Sequence, residues 1–269
     1  MQSIRMAGKT LVILLATAVL AVAQSTPAQP EALHLLNNVA MTYYAMKSYS
    51  AKSTDVITTS RPGMQQQMEW NMTTTADFSG RTRAEVTGAT PMLMIFDGKI
   101  LWMYMSQLNK YIKLPTTKPG WGVEGIESAM ATTGFTYKNV ATNVKGATVL
   151  RSEKIPFSGS NVDCWVVSVE YQPLSAHASS GRTAGVAASE VTAKTLWVDK
   201  IQYLVYQEDS TSKKTIAGAT GPTETKVAVK YESITVDPDV ASDAFTFTPP
   251  PGATEIDLAS FMPNAPPSK

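Results

Sequence analysis

Two imidazoles and one thiol, His34, His177 and Cys164, are the whole stock of classical base and nucleophile chemistry in this 269-residue chain. A serine or cysteine nucleophile needs a base beside it. Neither histidine has a partner at a recognisable spacing, and no G-x-S-x-G elbow or P-loop occurs. A single cysteine excludes an intrachain disulfide and every multi-cysteine metal site, and two histidines exclude a His-rich cluster. Asp237 and Asp239 flank Pro238, a spacing that reads as a solvated turn rather than a catalytic pair. The expectation is a protein that is not an enzyme, with no catalytic residues, no metal ligands and no cofactor. With 23 Lys+Arg against 22 Asp+Glu, the formal charge of +1 supplies no field for phosphates, so no nucleic-acid partner is expected.

The chain is rich in groups for apolar contact: 13 Met, 10 Tyr and 5 Trp, and all of Met64, Met68, Met72, Met92, Met94, Met103 and Met105 fall in one stretch. Methionine is unbranched and adapts to partners of varied shape. Hydrophobic residues make up 43% of the chain and charged ones 17%, enough for a sizeable core.

Residues 1–23 read as a signal peptide. Arg5 and Lys9 precede the apolar run Leu11–Ala21, and Ala21-Val22-Ala23 fits a small-x-small cleavage site. That run falls well short of the roughly 20 residues a membrane span needs. Export to the periplasm through a cleaved leader is the expectation, with residues 24–30 as a linker and 262–269 as a flexible tail. Pro30 and Glu31 open a helix on which Ala32, Leu35, Leu36, Val39, Tyr43 and Met46 recur at helical spacing, a stripe about 100° wide. Strands are predicted at Ser50–Thr59, Gln65–Phe78, Arg81–Thr87, Met92–Phe96, Ile100–Met105 and Tyr111–Leu114. They resume at Thr148–Ile155, Val162–Tyr171, Lys194–Asp199, Gln202–Glu208, Thr225–Val236 and Ala244–Phe247. Ser79-Gly80 and Asp97-Gly98 are hairpin turns. Val123–Thr133 carries Val123, Ile126 and Met130 at helical spacing but is weakened by Gly125. Residues 173–193 read as a long mobile loop. Alternation along the strands gives one apolar and one wetter face; Trp165, Val167 and Val169 oppose Cys164 and Ser168, and Val227 and Val229 oppose Lys230. Both faces of Met92–Met105 are apolar, so its inward face stays open. One antiparallel sheet over residues 31–261, in a single domain covered by helices, is the expected organisation.

Three segments resemble the LolA-like superfamily, the periplasmic carriers of outer-membrane lipoproteins and their relatives. They are Phe96-Asp97-Gly98-Lys99-Ile100-Leu101-Trp102-Met103-Tyr104, Thr195-Leu196-Trp197-Val198-Asp199-Lys200, and Phe245-Thr246-Phe247-Thr248-Pro249-Pro250-Pro251-Gly252-Ala253. The resemblance departs at Ala76-Asp77-Phe78-Ser79-Gly80, where the carrier has an Arg-Pro; here Arg81 and Arg83 come a few residues later. It implies an α+β, mainly antiparallel β fold, an incomplete half-barrel of about ten or eleven strands whose concave apolar face is covered by helices. It also implies an apolar cavity that shields acyl chains without catalysis. Each buried CH₂ is worth roughly 0.8 kcal/mol, so one sixteen-carbon chain represents about 12 kcal/mol. The candidate cavity residues are Leu35, Leu36, Val39 and Tyr43 on the first helix, Met92, Met94, Trp102 and Tyr104 on the central hairpin, and Ile126 and Met130 on the second helix. Trp165, Val167, Val227 and Val229 on the later strands complete the set. The expected partners are lipid acyl chains or lipidated proteins, with an inner-membrane donor and an outer-membrane acceptor, the protein itself being a monomer. A lipid-sensing regulator of the envelope and a structural module with a closed core are the alternatives.

Overall fold

Helix α1 (Pro30–Ala45) forms where the stripe predicts it, and Ala32, Leu35, Leu36, Val39 and Tyr43 are buried along it. Pro30 sits in the first turn, where a missing N–H costs nothing, and Glu31 faces the positive end of the helix dipole. The backbone N–H of Gln29 donates to the Ala147 carbonyl at 2.8 Å, which ties the start of the helix to the sheet. The computed structural model describes residues 28–77, 79–115, 135–172, 190–214 and 221–256. The predicted leader, the predicted Val123–Thr133 helix with Ile126 and Met130, most of the predicted 173–193 loop and the predicted tail lie outside the described residues.

Twelve strands build one sheet: β1 (Ser48–Arg61), β2 (Met64–Asp77), β3 (Thr82–Gly88), β4 (Met92–Phe96), β5 (Ile100–Met105), β6 (Lys110–Pro115), β7 (Val144–Phe157), β8 (Ser160–Tyr171), β9 (Glu190–Asp199), β10 (Val205–Lys214), β11 (Thr223–Val236) and β12 (Thr254–Glu255). Their order is β12-β6-β5-β4-β3-β2-β1-β11-β10-β9-β8-β7, so the sheet is open and its ends do not close into a barrel. Every neighbouring pair is antiparallel except β12 with β6. Twelve strands rather than ten or eleven follow from the addition of β12, a two-residue strand too short to leave a pattern in sequence. Strand β9 starts at Glu190, inside the stretch expected to be loop. Strand β10 begins at Val205 rather than Gln202, because Ile201 and Gln202 form a turn whose N–H groups bond the Asp199 carboxylate.

The register sorts side chains by face. Tyr49, Ala51, Ser53, Asp55 and Ile57 of β1 stand opposite Ala76, Thr74, Met72, Trp70 and Met68 of β2. The same face continues through Ala84 and Val86, then Met92, Met94 and Phe96, then Leu101 and Met103, and ends on Ile112 and Leu114. This is the face on which α1 lies, since the Tyr43 and Tyr49 rings meet with centroids 5.9 Å apart. The Asp97-Gly98 turn holds β4 against β5. The Asp97 carboxylate accepts the N–H groups of Lys99 and Ile100, both at 2.8 Å, while Gly98 takes φ +95°, a conformation that favours glycine.

Leu93, Ile95, Trp102 and Tyr104 therefore point to the opposite face. There the segment predicted as a strand at Ala244–Phe247 instead forms a turn and an extended strap with no ladder of its own. Phe247 packs on Trp102, Tyr104 and Tyr111 with centroids 5.3, 6.1 and 5.7 Å away, and the Arg81 guanidinium lies 4.8 Å over Phe245. Beyond it, Thr254 and Ile256 donate backbone hydrogen bonds to the Asn109 and Tyr111 carbonyls, which covers the β6 edge. The strap should contribute measurably. Phe247→Ala is expected to cost roughly 2 kcal/mol, less than a fully buried aromatic because Phe247 is only partly buried. Thermal unfolding followed by the near-UV signal of Trp102 checks this; an unchanged midpoint would mean the strap is not anchored by that ring.

Candidate functional site

The helix face divides at β1 into two unlike halves. On one side α1 and a 3-10 helix (Phe135–Asn139) roof strands β7 to β11 and bury Ala147, Val167, Val169, Leu196, Val198, Val205 and Val229 beneath Leu36, Val39 and Tyr43. Four tyrosines fill the space nearest β1. Tyr137 meets Tyr43 with centroids 5.1 Å apart and Tyr231 at 6.5 Å, and the Tyr231 hydroxyl donates to that of Tyr137 at 3.4 Å. Burial pushes the hydroxyls of Tyr43, Tyr49, Tyr137 and Tyr231 well above the ordinary tyrosine range, so they stay neutral hydrogen-bonding groups. The Tyr43 oxygen accepts the Val205 N–H at 3.2 Å.

On the other side, strands β2 to β6 carry a second apolar cluster. Met72, Ala84, Val86, Met94, Leu101 and Leu114 are its buried centre, and Trp70, Met92, Phe96, Met103 and Ile112 are its partly exposed rim. All of these side chains point the same way because each is in phase with the next strand's set. Thioether and aromatic groups dominate, and no charge interrupts the cluster. Such a surface is chemically inert, deformable and suited to hydrocarbon.

At the seam between the halves the sheet buries charge. Crossing the strands in register, Trp70, Asp55, Val229, Glu208 and Leu196 form one row on the helix face. Glu208 is answered by Lys194, Oε1 to Nζ 2.8 Å, and the two side chains are only 8% and 19% exposed. Lys194 also lies 5.8 Å over the Tyr137 ring. Asp55 is fully buried. Its Oδ1 accepts the Ser53 hydroxyl at 2.8 Å, while Oδ2 has no partner. Burial pushes the Asp55 carboxyl up to about 6; the Ser53 hydrogen bond opposes this and the Glu208 charge adds to it.

The structure distributes the sequence-predicted residues unevenly. Leu35, Leu36, Val39, Tyr43, Val167 and Val229 are buried in the roofed half, with Trp165 and Val227 packed at its margin. Met92 and Met94 belong to the methionine half. Trp102 and Tyr104 are not on this face. The sequence leaves the inward face of this hairpin open, and strand alternation puts these two candidates on the side of β5 opposite Met92 and Met94, where Phe247 packs on them. Ile126 and Met130 lie outside the described residues.

Sequence reasoning missed Asp55, Ser53, Glu208 and Lys194. A signal existed for the first: in the Ser50–Thr59 strand, Asp55 is in phase with Ala51 and Ile57 rather than with Lys52. Among the described residues, no group of three or more His, Cys, Asp or Glu is placed to hold a metal ion. Cys164 is buried, and burial raises its thiol to about 12, so it is no thiolate nucleophile at neutral pH. A polar depression of about 390 Å³ lies near the ends of β1, β2 and β11, lined by Lys47, Asp77, Arg81, Asp237 and Asp239 among others. Its groups are engaged locally: Asp77 pairs with Arg81 at 2.6 Å, and the Asp237 carboxylate accepts the N–H groups of Lys47 and Ser48 at 2.6 and 3.2 Å.

No protein-family model and no curated protein matches this chain. Solved structures do. LolA superfamily proteins are among its structural neighbours. One from Nitrosomonas europaea aligns at 13% identity and TM-score 0.32, covering 80% of this chain and 97% of its own. LprF from Mycobacterium bovis aligns at 13% identity and TM-score 0.42, over 80% of this chain and 97% of that one. An uncharacterized conserved protein from Thermus thermophilus aligns at 10% identity and TM-score 0.46, over 84% and 98%.

Proposed function

We propose that this protein binds the apolar part of a lipid or lipidated protein on the helix face and leaves it chemically unchanged. The observation that carries this reading is the methionine half: Met72, Met92, Met94 and Met103, with Phe96 and Ile112 and with Ala84 and Val86 between them, stand in register on one side of five strands. A closed structural core would be served as well by Leu, Val and Ile, which have fewer rotamers to fix. Methionine is favoured where the surface must fit chains of differing shape. Met92 and Met94 are the proposed contacts among the residues expected from sequence. The residues at the partly exposed rim are where a chain would first be met. The apparent leader supports a periplasmic, carrier-like role as a monomer that takes its load from an inner-membrane donor and gives it to an outer-membrane acceptor. A passive binder needs no nucleophile, metal or cofactor.

Organic extraction of the purified protein, followed by mass spectrometry, should yield co-purifying lipid, and a fluorescent fatty acid should bind and be displaced by it. Met103→Glu should weaken fatty-acid binding by about tenfold or more, because a carboxylate on the rim must be desolvated by every bound chain. The fold should survive, since Met103 is partly exposed. Absence of lipid together with no fatty-acid binding would favour a structural module with a closed core. Capture of an envelope regulator rather than a lipoprotein would mark a sensor.

A further inference from the structure

We infer that the buried Asp55 carboxylate, at the seam between the two halves, receives the ammonium end of a long-chain amphiphile whose tail lies on the methionine half. This rests on the lipid-binding reading and gives the ligand a polar head of stated chemistry.

The position comes first. Asp55 and Trp70 are direct partners across β1 and β2, and Ser53 and Met72 are the next pair on the same face. The carboxylate therefore borders the methionine half on one side and Val229 and Tyr231 of the roofed half on the other. From β1 to β5 there are four strand spacings of about 4.8 Å, roughly 19 Å of apolar surface leading away from the charge. Trp70, partly exposed, stands where a chain on that surface would reach the acid.

The bonding comes next. A buried carboxylate is costly unless its oxygens are satisfied. Ser53 serves Oδ1, and Oδ2 is buried without a hydrogen-bond partner. The groups that face it are Glu208 from β10, Tyr231 from β11, and the neighbouring Lys194 of β9, Tyr137 of the 3-10 helix, Tyr43 of α1 and Tyr49 of β1. Of these, Lys194 is committed to Glu208. The buried set thus holds two carboxylates and one ammonium, and among the described residues no cation answers Asp55. An incoming ammonium supplies both the missing donor and the missing charge. A hydroxyl supplies only the donor, and an incoming carboxylate would repel the site. Hydrogen bonds to charged groups contribute enough to give an ammonium about a tenfold advantage or more over a hydroxyl.

The test is calorimetric titration of the purified full chain with dodecylamine, dodecanol and dodecanoate at pH 7.5, and with the first two again at pH 5. Dodecylamine is expected to bind about tenfold or more tightly than dodecanol, and dodecanoate weakest. Asp55→Asn should bring amine and alcohol to within about twofold, chiefly by loss of amine affinity. In the native protein the amine should lose affinity toward pH 5 as Asp55 takes up a proton, and the alcohol should not. Dodecanol binding without an amine preference would overturn this inference and leave the lipid-binding reading standing. Failure of all three to bind would remove that reading and this inference with it. An amine preference that persists in Asp55→Asn, or that ignores pH, would place the cation elsewhere. The pH series needs no variant, so it decides the matter even if Asp55→Asn does not fold.

Discussion

Asp55→Asn is expected to gain stability relative to the native protein as the pH rises from 3 to 8, by roughly 3 kcal/mol in all. The carboxyl ordinarily titrates at 3.8 and is pushed up to about 6 in the folded protein, mainly by burial. A group whose folded pKa is raised binds its proton more tightly in the native state. It therefore favours folding fully below 3.8, and that contribution is lost as the pH passes through about 6. Above that, the native protein carries the cost of a buried, half-satisfied charge, and asparagine does not. Asparagine brings its own N–H group to the place of the unpartnered Oδ2, a cost that does not depend on pH. The pH-dependent part of the difference therefore isolates the carboxyl. Thermal midpoints of the two proteins at several pH values provide the measurement, with a divergence of about 6 to 12 °C by pH 8. Parallel curves would show that Asp55 reaches solvent in the folded state.

Tyr43→Ala should be the most damaging single truncation on α1, lowering stability by about 4 kcal/mol. Tyr43 is 1% exposed, touches the Tyr49 and Tyr137 rings, and its oxygen is the acceptor for the Val205 N–H. The truncation removes a whole buried ring and orphans a buried donor. Tyr43→Phe separates the two effects: it keeps the ring and should cost about 2 kcal/mol for the unpaired Val205 N–H alone. Urea unfolding with an unchanged slope would report both as native-state losses. Equal losses for the two variants would assign the whole effect to the hydrogen bond and none to packing.

Much of this architecture was legible because local periodicity and tertiary burial agree. The α1 stripe is buried as its spacing requires, and the Ser79-Gly80 and Asp97-Gly98 turns fall where strands reverse. The alternation of β11 likewise matches the observed faces, whereas on β8 Cys164 and Val166, on the side expected to be wetter, are fully buried. Legibility failed where two answers had the same period. On β4 and β5 both faces are apolar, and only the strap of Phe245 and Phe247, far along the chain, decides which is covered by protein from the other side. That strap has apolar residues two apart, as a strand would, but it has no ladder partner and packs by its rings. The charged seam was hidden differently. Asp55, Glu208 and Lys194 come from strands remote in sequence, and no local pattern says that Glu208 meets Lys194 while Asp55 is left with Ser53 alone.

Strand β1 is the centre of the sheet, hydrogen-bonded to β2 on one side and β11 on the other. Its first partner follows after a short turn, but the second is not reached until Thr223, most of the chain later. At about 5 to 20 residues per second of synthesis, several seconds to half a minute pass in which β1 offers a bare edge. The two halves of the helix face thus have separate histories. The methionine half can zip together from neighbouring hairpins, whereas the roofed half waits for a closure of high contact order. The seam at Asp55 is where a sheet built from neighbouring hairpins meets one whose pairing with β1 waits for β11.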